Sequence, residues 1–139
     1  MWDTPSGPVE PSMKEADLAH SLLASAQKDL KALRNMTDPD LFADEVFGFH
    51  AQQAVEKTLK AWVALLGGQY PFVHDLDALL NTLQKLGADV EALRGLVELN
   101  AFAVQFRYEA FESPDEPLDR RSVTVEAVAL FQKVLALLP

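Results

Sequence analysis

The longest helical pattern in the chain contains the run Phe49-His50-Ala51-Gln52-Gln53-Ala54-Val55-Glu56-Lys57-Thr58-Leu59-Lys60-Ala61. At about 100° per residue, its apolar side chains fall on one side of a helix, while the polar ones gather on the other. The pattern begins at Asp38-Pro39, an acid at the N-cap followed by a proline at the first helical position. It ends at Leu66, before the helix stop Gly67-Gly68. We therefore predict a long amphipathic helix from Asp38 to Leu66.

Four further helices are predicted around it, over about residues 12–36, 74–86, 89–107 and 119–138. Ser12 and Glu15 form a Ser-x-x-Glu capping box, Asp89 and Asp119 are expected N-caps, and Gly87 is a stop signal. The chain has no isoleucine and is rich in leucine and alanine, which favours helices over strands. Together the patterns predict an all-α fold, a five-helix antiparallel up-and-down bundle with a four-helix core.

Length and composition restrict the possible functions. The 139 residues suit one domain, so we expect a flexible N-terminal arm over 1–12 and a single helical domain over 13–139. The net charge of -9 opposes nucleic acid and anionic membranes as partners, and RNA binding is not expected. Without cysteine there is no disulfide, thiolate zinc site or cysteine nucleophile. With no signal peptide and no apolar run long enough for a membrane span, we expect a soluble, cytoplasmic protein.

The polar face of the long helix is a candidate binding site. His50, Gln53, Lys57 and Lys60 follow a 3-4-3 spacing that stacks their donors one above another, where they can meet a phosphate or a base. The alternative is an ordinary solvated face. The three histidines are far apart in sequence and form no His-x-x-x-His pair, so neither a metal nor a cofactor is expected. His74 is either a local hydrogen-bonding residue at a helix start or a functional imidazole.

Three separate elements carry a family resemblance. The run from Phe49 to Ala61 resembles the signature helix of the HEPN domains (higher eukaryotes and prokaryotes nucleotide-binding). His74-Asp75-Leu76 resembles the His-Asp-Leu element of that family, and Phe106-Arg107-Tyr108 stands where the family has Arg-Tyr, often followed by proline; here Glu109 replaces the proline. The resemblance covers about residues 13–138.

The resemblance implies a helical bundle that is usually a homodimer and is often encoded beside a small nucleotidyltransferase, as in a toxin–antitoxin-like pair. Many HEPN proteins are metal-independent ribonucleases with an arginine followed, after four to six intervening residues, by a histidine. In this chain Glu112, Ser113 and Pro114 occupy those positions, and no histidine occurs beyond His74. The resemblance therefore implies the non-nucleolytic branch, with no catalytic residue, which binds a nucleotide or acts as the partner of a nucleotidyltransferase.

Six residues are the predicted nucleotide contacts: Lys57, Lys60 and Arg107 on phosphate, and His50, Gln53 and Tyr108 around the base or ribose. Arg107 and Tyr108 have an alternative interpretation, a structural ion pair with a packed tyrosine. Two other functions stay open, a HEPN ribonuclease toxin with an atypical site around Arg107 and Glu112 or His50, and a helical protein-interaction module without a ligand. The excess of phenylalanine predicts a dimer interface or packing within one subunit, and involves Phe42, Phe47, Phe49, Phe102, Phe106 and Phe111.

Overall fold

The computed structural model describes residues 10–72, 74–103 and 117–139. These ranges contain the helices α1 (Met13–Asn35), α2 (Asp44–Leu65), α3 (Leu76–Lys85) and α4 (Arg120–Leu135), and a 3-10 helix (Glu91–Phe102) between α3 and α4. No strand occurs within them, which confirms the predicted all-α fold. None of the described helices is both long and apolar enough to cross a membrane. The first nine residues of the predicted N-terminal arm lie outside the described residues.

The start of α1 follows the predicted capping box. The Glu15 N–H donates to Ser12 Oγ at 3.1 Å, and the Ser12 N–H donates to the Glu15 carboxylate at 2.9 Å. The hydrogen bond from the Ser12 backbone, and then that with its side chain, lower the pKa of the Glu15 carboxyl below its usual value. The helix ends at the C-cap Met36, as expected.

The predicted start of α2 at Asp38 is wrong, because α2 begins at Asp44. The Asp38 carboxylate accepts the Asp40 N–H at 2.9 Å, and its carbonyl accepts the N–H groups of Leu41 and Phe42 at 3.1 and 3.0 Å. The aspartate thus closes a local turn, a role that competes with helix capping. The other end agrees with the sequence: α2 ends at Leu65, and Gly67 follows in the left-handed region with φ 77°.

The fourth predicted helix is a 3-10 helix rather than an α-helix, and its N-cap is Val90 instead of Asp89. Its apolar residues recur every third position, the period of a 3-10 helix, in which side chains at i and i+3 are aligned. Such spacing turns one row of side chains into the core. These side chains are buried or packed against the core, and they belong to Val90, Leu93, Leu96, Leu99 and Phe102.

Helix α2 lies at the centre of the protein. It contacts α1, α3, the 3-10 helix and α4, and residues all around it are buried, among them the polar Gln52, Glu56 and Thr58. Helices α1 and α2 pack against each other, and Asp29 of α1 pairs with His50 and Lys57 of α2. A buried polar group is costly unless it is hydrogen-bonded, so the polar side chains of α2 need partners within the protein.

The N-terminal end of α2 is held by an arginine of α4. Arg120 is 9% exposed; its guanidinium donates to the carbonyls of Met36 and Phe42 at 2.8 and 2.5 Å and to the Asp44 carboxylate at 2.9 Å. It also lies over the Phe47 ring, 5.1 Å from the centroid. Arg120 therefore joins the start of α4 to the connection between α1 and α2.

Candidate functional site

The polar side chains of α2 form a half-buried band rather than a solvated face. We call this band the polar strip. Gln52 is fully buried and Glu56 is 3% exposed, whereas Gln53, Lys57 and Lys60 are of intermediate exposure. The strip consists of His50, Gln52, Gln53, Glu56, Lys57 and Lys60 of α2, together with Asp29 of α1 and His74, which precedes α3.

Asp29 organises one end of the strip. Its Oδ1 lies 2.9 Å from His50 Nδ1, and its Oδ2 accepts a hydrogen bond from Lys57 Nζ at 2.8 Å. Because an ionised carboxylate can only accept, the histidine carries a proton on Nδ1 and leaves Nε2 for other contacts. The side chains of His50 and Lys57 are 28% and 24% exposed, so both groups can be reached from solvent.

Glu56 organises the other end of the strip. Its Oε1 accepts from Gln52 Nε2 at 3.0 Å and lies 2.9 Å from His74 Nδ1, while its Oε2 pairs with Lys60 Nζ at 3.3 Å. Gln53 joins this group through a 2.8 Å hydrogen bond to Gln52 Oε1. A buried carboxylate thus fixes the orientation of two donors that are themselves partly open to solvent.

The polar strip is balanced in charge. The carboxylates of Asp29 and Glu56 face the ammonium groups of Lys57 and Lys60, one to one. The two histidines add positive charge only when they are protonated. The stacked donors expected from the sequence are present, but with their carboxylates they do not form a basic patch.

An aromatic segment follows α2 beside the Glu56 end. Lys60 Nζ lies 5.3 Å from the centroid of the Tyr70 ring, and the rings of Tyr70 and Phe72 meet edge-on with centroids 6.4 Å apart. Asn100 of the 3-10 helix accepts the Leu76 N–H and donates to Asp75, both at 2.9 Å, and so fixes the start of α3. This anchor positions His74, one residue earlier, against Glu56.

The structure gathers four of the six predicted contact residues in the polar strip. His50 and Lys57 share Asp29, Lys60 binds Glu56, and Gln53 binds Gln52. Arg107 and Tyr108, with Glu112, lie outside the described residues. Arg120 does not extend the strip: it binds Asp44, which lies about 20 Å from Lys57 along the helix at 1.5 Å per residue.

Sequence reasoning missed the carboxylate that holds His50 and Lys57. Asp29 follows Ala26 by three residues and precedes Leu33 by four, so it lies on the buried face of α1. An acid at such a position requires a cationic or donor partner, and this is the signal that could have identified it.

The phenylalanines divide between core and surface. Phe47 and Phe102 are buried within the chain itself, and Phe42 and Phe49 are half-buried, whereas Phe106 and Phe111 lie outside the described residues. Phe102 packs directly on Gly48, where an added Cβ would lie 2.4 Å from its ring. Phe47 and Phe102 therefore pack inside one subunit and are not available for a dimer interface.

Within the described ranges, no three acidic or histidine side chains come together in a group that could hold a metal ion.

Comparison with protein families gives a match to the HEPN domain over residues 19–138. Searches of curated proteins and of solved structures gave no significant match.

Proposed function

The chain belongs to the HEPN domain family, and on that premise we propose that it is a non-nucleolytic member that binds a nucleotide along the polar strip. The family is nucleotide-related or ribonuclease-like, so a phosphate-bearing ligand is the class to test first. The proposal concerns a soluble, cytoplasmic protein that needs no metal or cofactor.

One observation carries this proposal: the strip holds donors that are oriented by buried carboxylates and are still partly exposed. Lys57 and Lys60 each donate to one carboxylate, and an ammonium group has three donors. Donors fixed before the ligand arrives cost less conformational entropy on binding. This arrangement favours a small, directional ligand over a long polyanion, since the strip has no excess positive charge.

We assign the roles as follows. Lys57 and Lys60 donate to phosphate, while His50 and Gln53 contact the base or the ribose. Arg107 on phosphate and Tyr108 near the base complete the proposed site on the strength of the family resemblance. The non-nucleolytic character rests on the sequence, which has no histidine beyond His74 to follow Arg107.

Thermal unfolding with ATP tests the binding site. A ligand at tenfold its Kd adds about 1.4 kcal/mol to the free energy of unfolding, which raises Tm by a few degrees. Lys57→Gln and Lys60→Gln should each reduce this shift, because the amide loses charge but keeps a donor. The matched control, Lys85→Gln at an exposed position of α3, should leave it unchanged. An unshifted wild-type Tm contradicts nucleotide binding and favours the protein-interaction alternative.

The proposal also includes partners. We expect a homodimer, so light scattering should give about twice 15.4 kDa, and a monomer at micromolar concentration contradicts it. We further expect a small nucleotidyltransferase as a partner in a toxin–antitoxin-like pair. An adjacent reading frame for such an enzyme, whose product co-purifies with this chain, supports this, and its failure to bind contradicts it.

A second candidate function, a ribonuclease with an atypical site, has one observation in its favour. His50 and His74 both have Nδ1 on a carboxylate, the orientation that prepares Nε2 for proton transfer. RNA cleavage that is lost in both Arg107→Ala and His50→Gln would establish this function and overturn the non-nucleolytic proposal. We expect RNA to stay intact with the wild-type protein.

A further inference from the structure

Phe72 is an unusual surface residue. Its side chain is 97% exposed, the highest value among the large exposed hydrophobic residues of the described ranges. Leaving a whole aromatic ring in water forgoes one of the largest gains available from burial. Pro71 restricts the backbone before the ring: its own φ is fixed, and Tyr70 is kept out of the helical region. The Phe72 ring follows these two restricted residues and is open to solvent.

The neighbours of Phe72 tie it to the polar strip. Its ring meets that of Tyr70 at 69° with centroids 6.4 Å apart, and Tyr70 packs against the hydrophobic core. Lys60 lies 5.3 Å from the centroid of the same tyrosine and pairs with Glu56. An unbroken series of contacts thus runs from a buried carboxylate through a cation and a packed ring to an open ring.

His74 adds a second open ring on the other side of Val73. Its side chain is 66% exposed, and Nδ1 is held by Glu56. A nucleotide site combines an aromatic face, on which the base can stack, with cationic donors that bind the phosphate. Phe72 and His74 provide open aromatic faces, and the ammonium and imidazole groups beside them are held in place by Glu56.

We propose that Phe72 and Tyr70 form a base-stacking platform, on which Phe72 stacks against the base of a mononucleotide whose phosphate lies toward Lys60 and His74. This inference rests on the nucleotide-binding function proposed for the polar strip. It places the base on a segment outside α2, which replaces the base contacts assigned above to His50 and Gln53, and the strip keeps the phosphate contacts. The net charge of -9 and the balanced strip favour a mononucleotide over single-stranded RNA.

Calorimetric titration of the full chain with ATP, tripolyphosphate and a short oligoadenylate tests the platform. Phe72→Leu should weaken ATP about tenfold, equivalent to about 1.4 kcal/mol and within the range of base–aromatic stacking. Its tripolyphosphate affinity should equal that of the wild type, because tripolyphosphate has no base. The control Leu41→Ala, at another exposed apolar position, should change neither affinity.

Phe72→Trp provides an independent spectroscopic test. The new indole should keep ATP binding, and ATP should quench its fluorescence after the wild-type signal is subtracted, since stacking brings base and indole into contact. Tripolyphosphate should not quench it.

Each outcome has a distinct meaning. Equal ATP affinity for the wild type and Phe72→Leu overturns the platform while the proposed nucleotide site survives. Oligoadenylate that binds tighter than ATP overturns the assignment to a mononucleotide. A wild-type protein that binds neither ATP nor tripolyphosphate overturns the proposed function itself, and the platform with it.

Discussion

The two ends of α2 both pair cations with carboxylates, but they do so in opposite ways. At the N-terminal end, Arg120 gives its guanidinium to two carbonyls and one carboxylate and is almost fully buried. Toward the other end, Lys57 and Lys60 each contact one carboxylate and stay partly exposed. The difference shows that burial and the number of protein partners, and not the charge itself, separate a structural cation from a candidate binding cation.

The largest expected effect belongs to Arg120→Met. Without the guanidinium, the Asp44 carboxylate loses its cation, and the carbonyls of Met36 and Phe42 lose their donor. The free energy of unfolding should therefore fall by about 3 kcal/mol. Denaturant unfolding measures the change. The matched variant Arg121→Met, at the exposed neighbouring position, should cost less than about 0.5 kcal/mol. Equal costs for the two would remove the distinction between the ends of α2.

Gly48→Ala should have the next largest effect. Alanine usually stabilises a helix relative to glycine, but here its Cβ would lie 2.4 Å from the buried Phe102 ring, so overpacking should cost about 2 kcal/mol. Gly95→Ala in the 3-10 helix is the control, because no atom lies within 4 Å of its added Cβ. Thermal unfolding compares them, and a stabilised Gly48→Ala would show that Phe102 can move aside.

Lys57→Gln should have the smallest effect on stability. The ion pair between Lys57 and Asp29 is partly exposed, and the glutamine can still donate to Asp29. The free energy of unfolding should therefore fall by less than about 1 kcal/mol. Denaturant unfolding of Lys57→Gln should therefore give almost the wild-type midpoint, although the same variant has a reduced ATP-dependent shift in Tm. A cost as large as that of Arg120→Met would make Lys57 a structural residue and contradict its assigned role.

Local sequence signals were sufficient for much of the fold. The capping box at Ser12, the N-cap Asp119 and the stop at Gly67 are short-range features, and the structure has each of them in place. The same kind of reasoning failed at Asp38, where a turn and a helix start compete for one carboxylate. It also failed for the 3-10 helix, since Leu93, Leu96 and Val97 fit a helical period while the full apolar row follows a period of three.

The candidate site was only half predictable for a related reason. Helical spacing identified the donors on α2, because residues three and four apart share a face. It could not identify Asp29 or His74 as their partners, since these contacts join residues 18 to 28 positions apart and depend on how α1 and the start of α3 pack against α2. The donors predicted on α2 consequently lie in a charge-balanced strip.

The 3-10 helix is longer than an α-helix with the same number of residues. Its 12 residues rise about 2.0 Å each, whereas an α-helix rises 1.5 Å, so rewinding to α would shorten this element by about 6 Å. With Asn100 bonded to the first residue of α3 and Phe102 seated on Gly48, such a contraction would pull both anchors out of place. The 3-10 winding thus acts as a fixed spacer that keeps Asn100 at the start of α3 while Phe102 packs on Gly48.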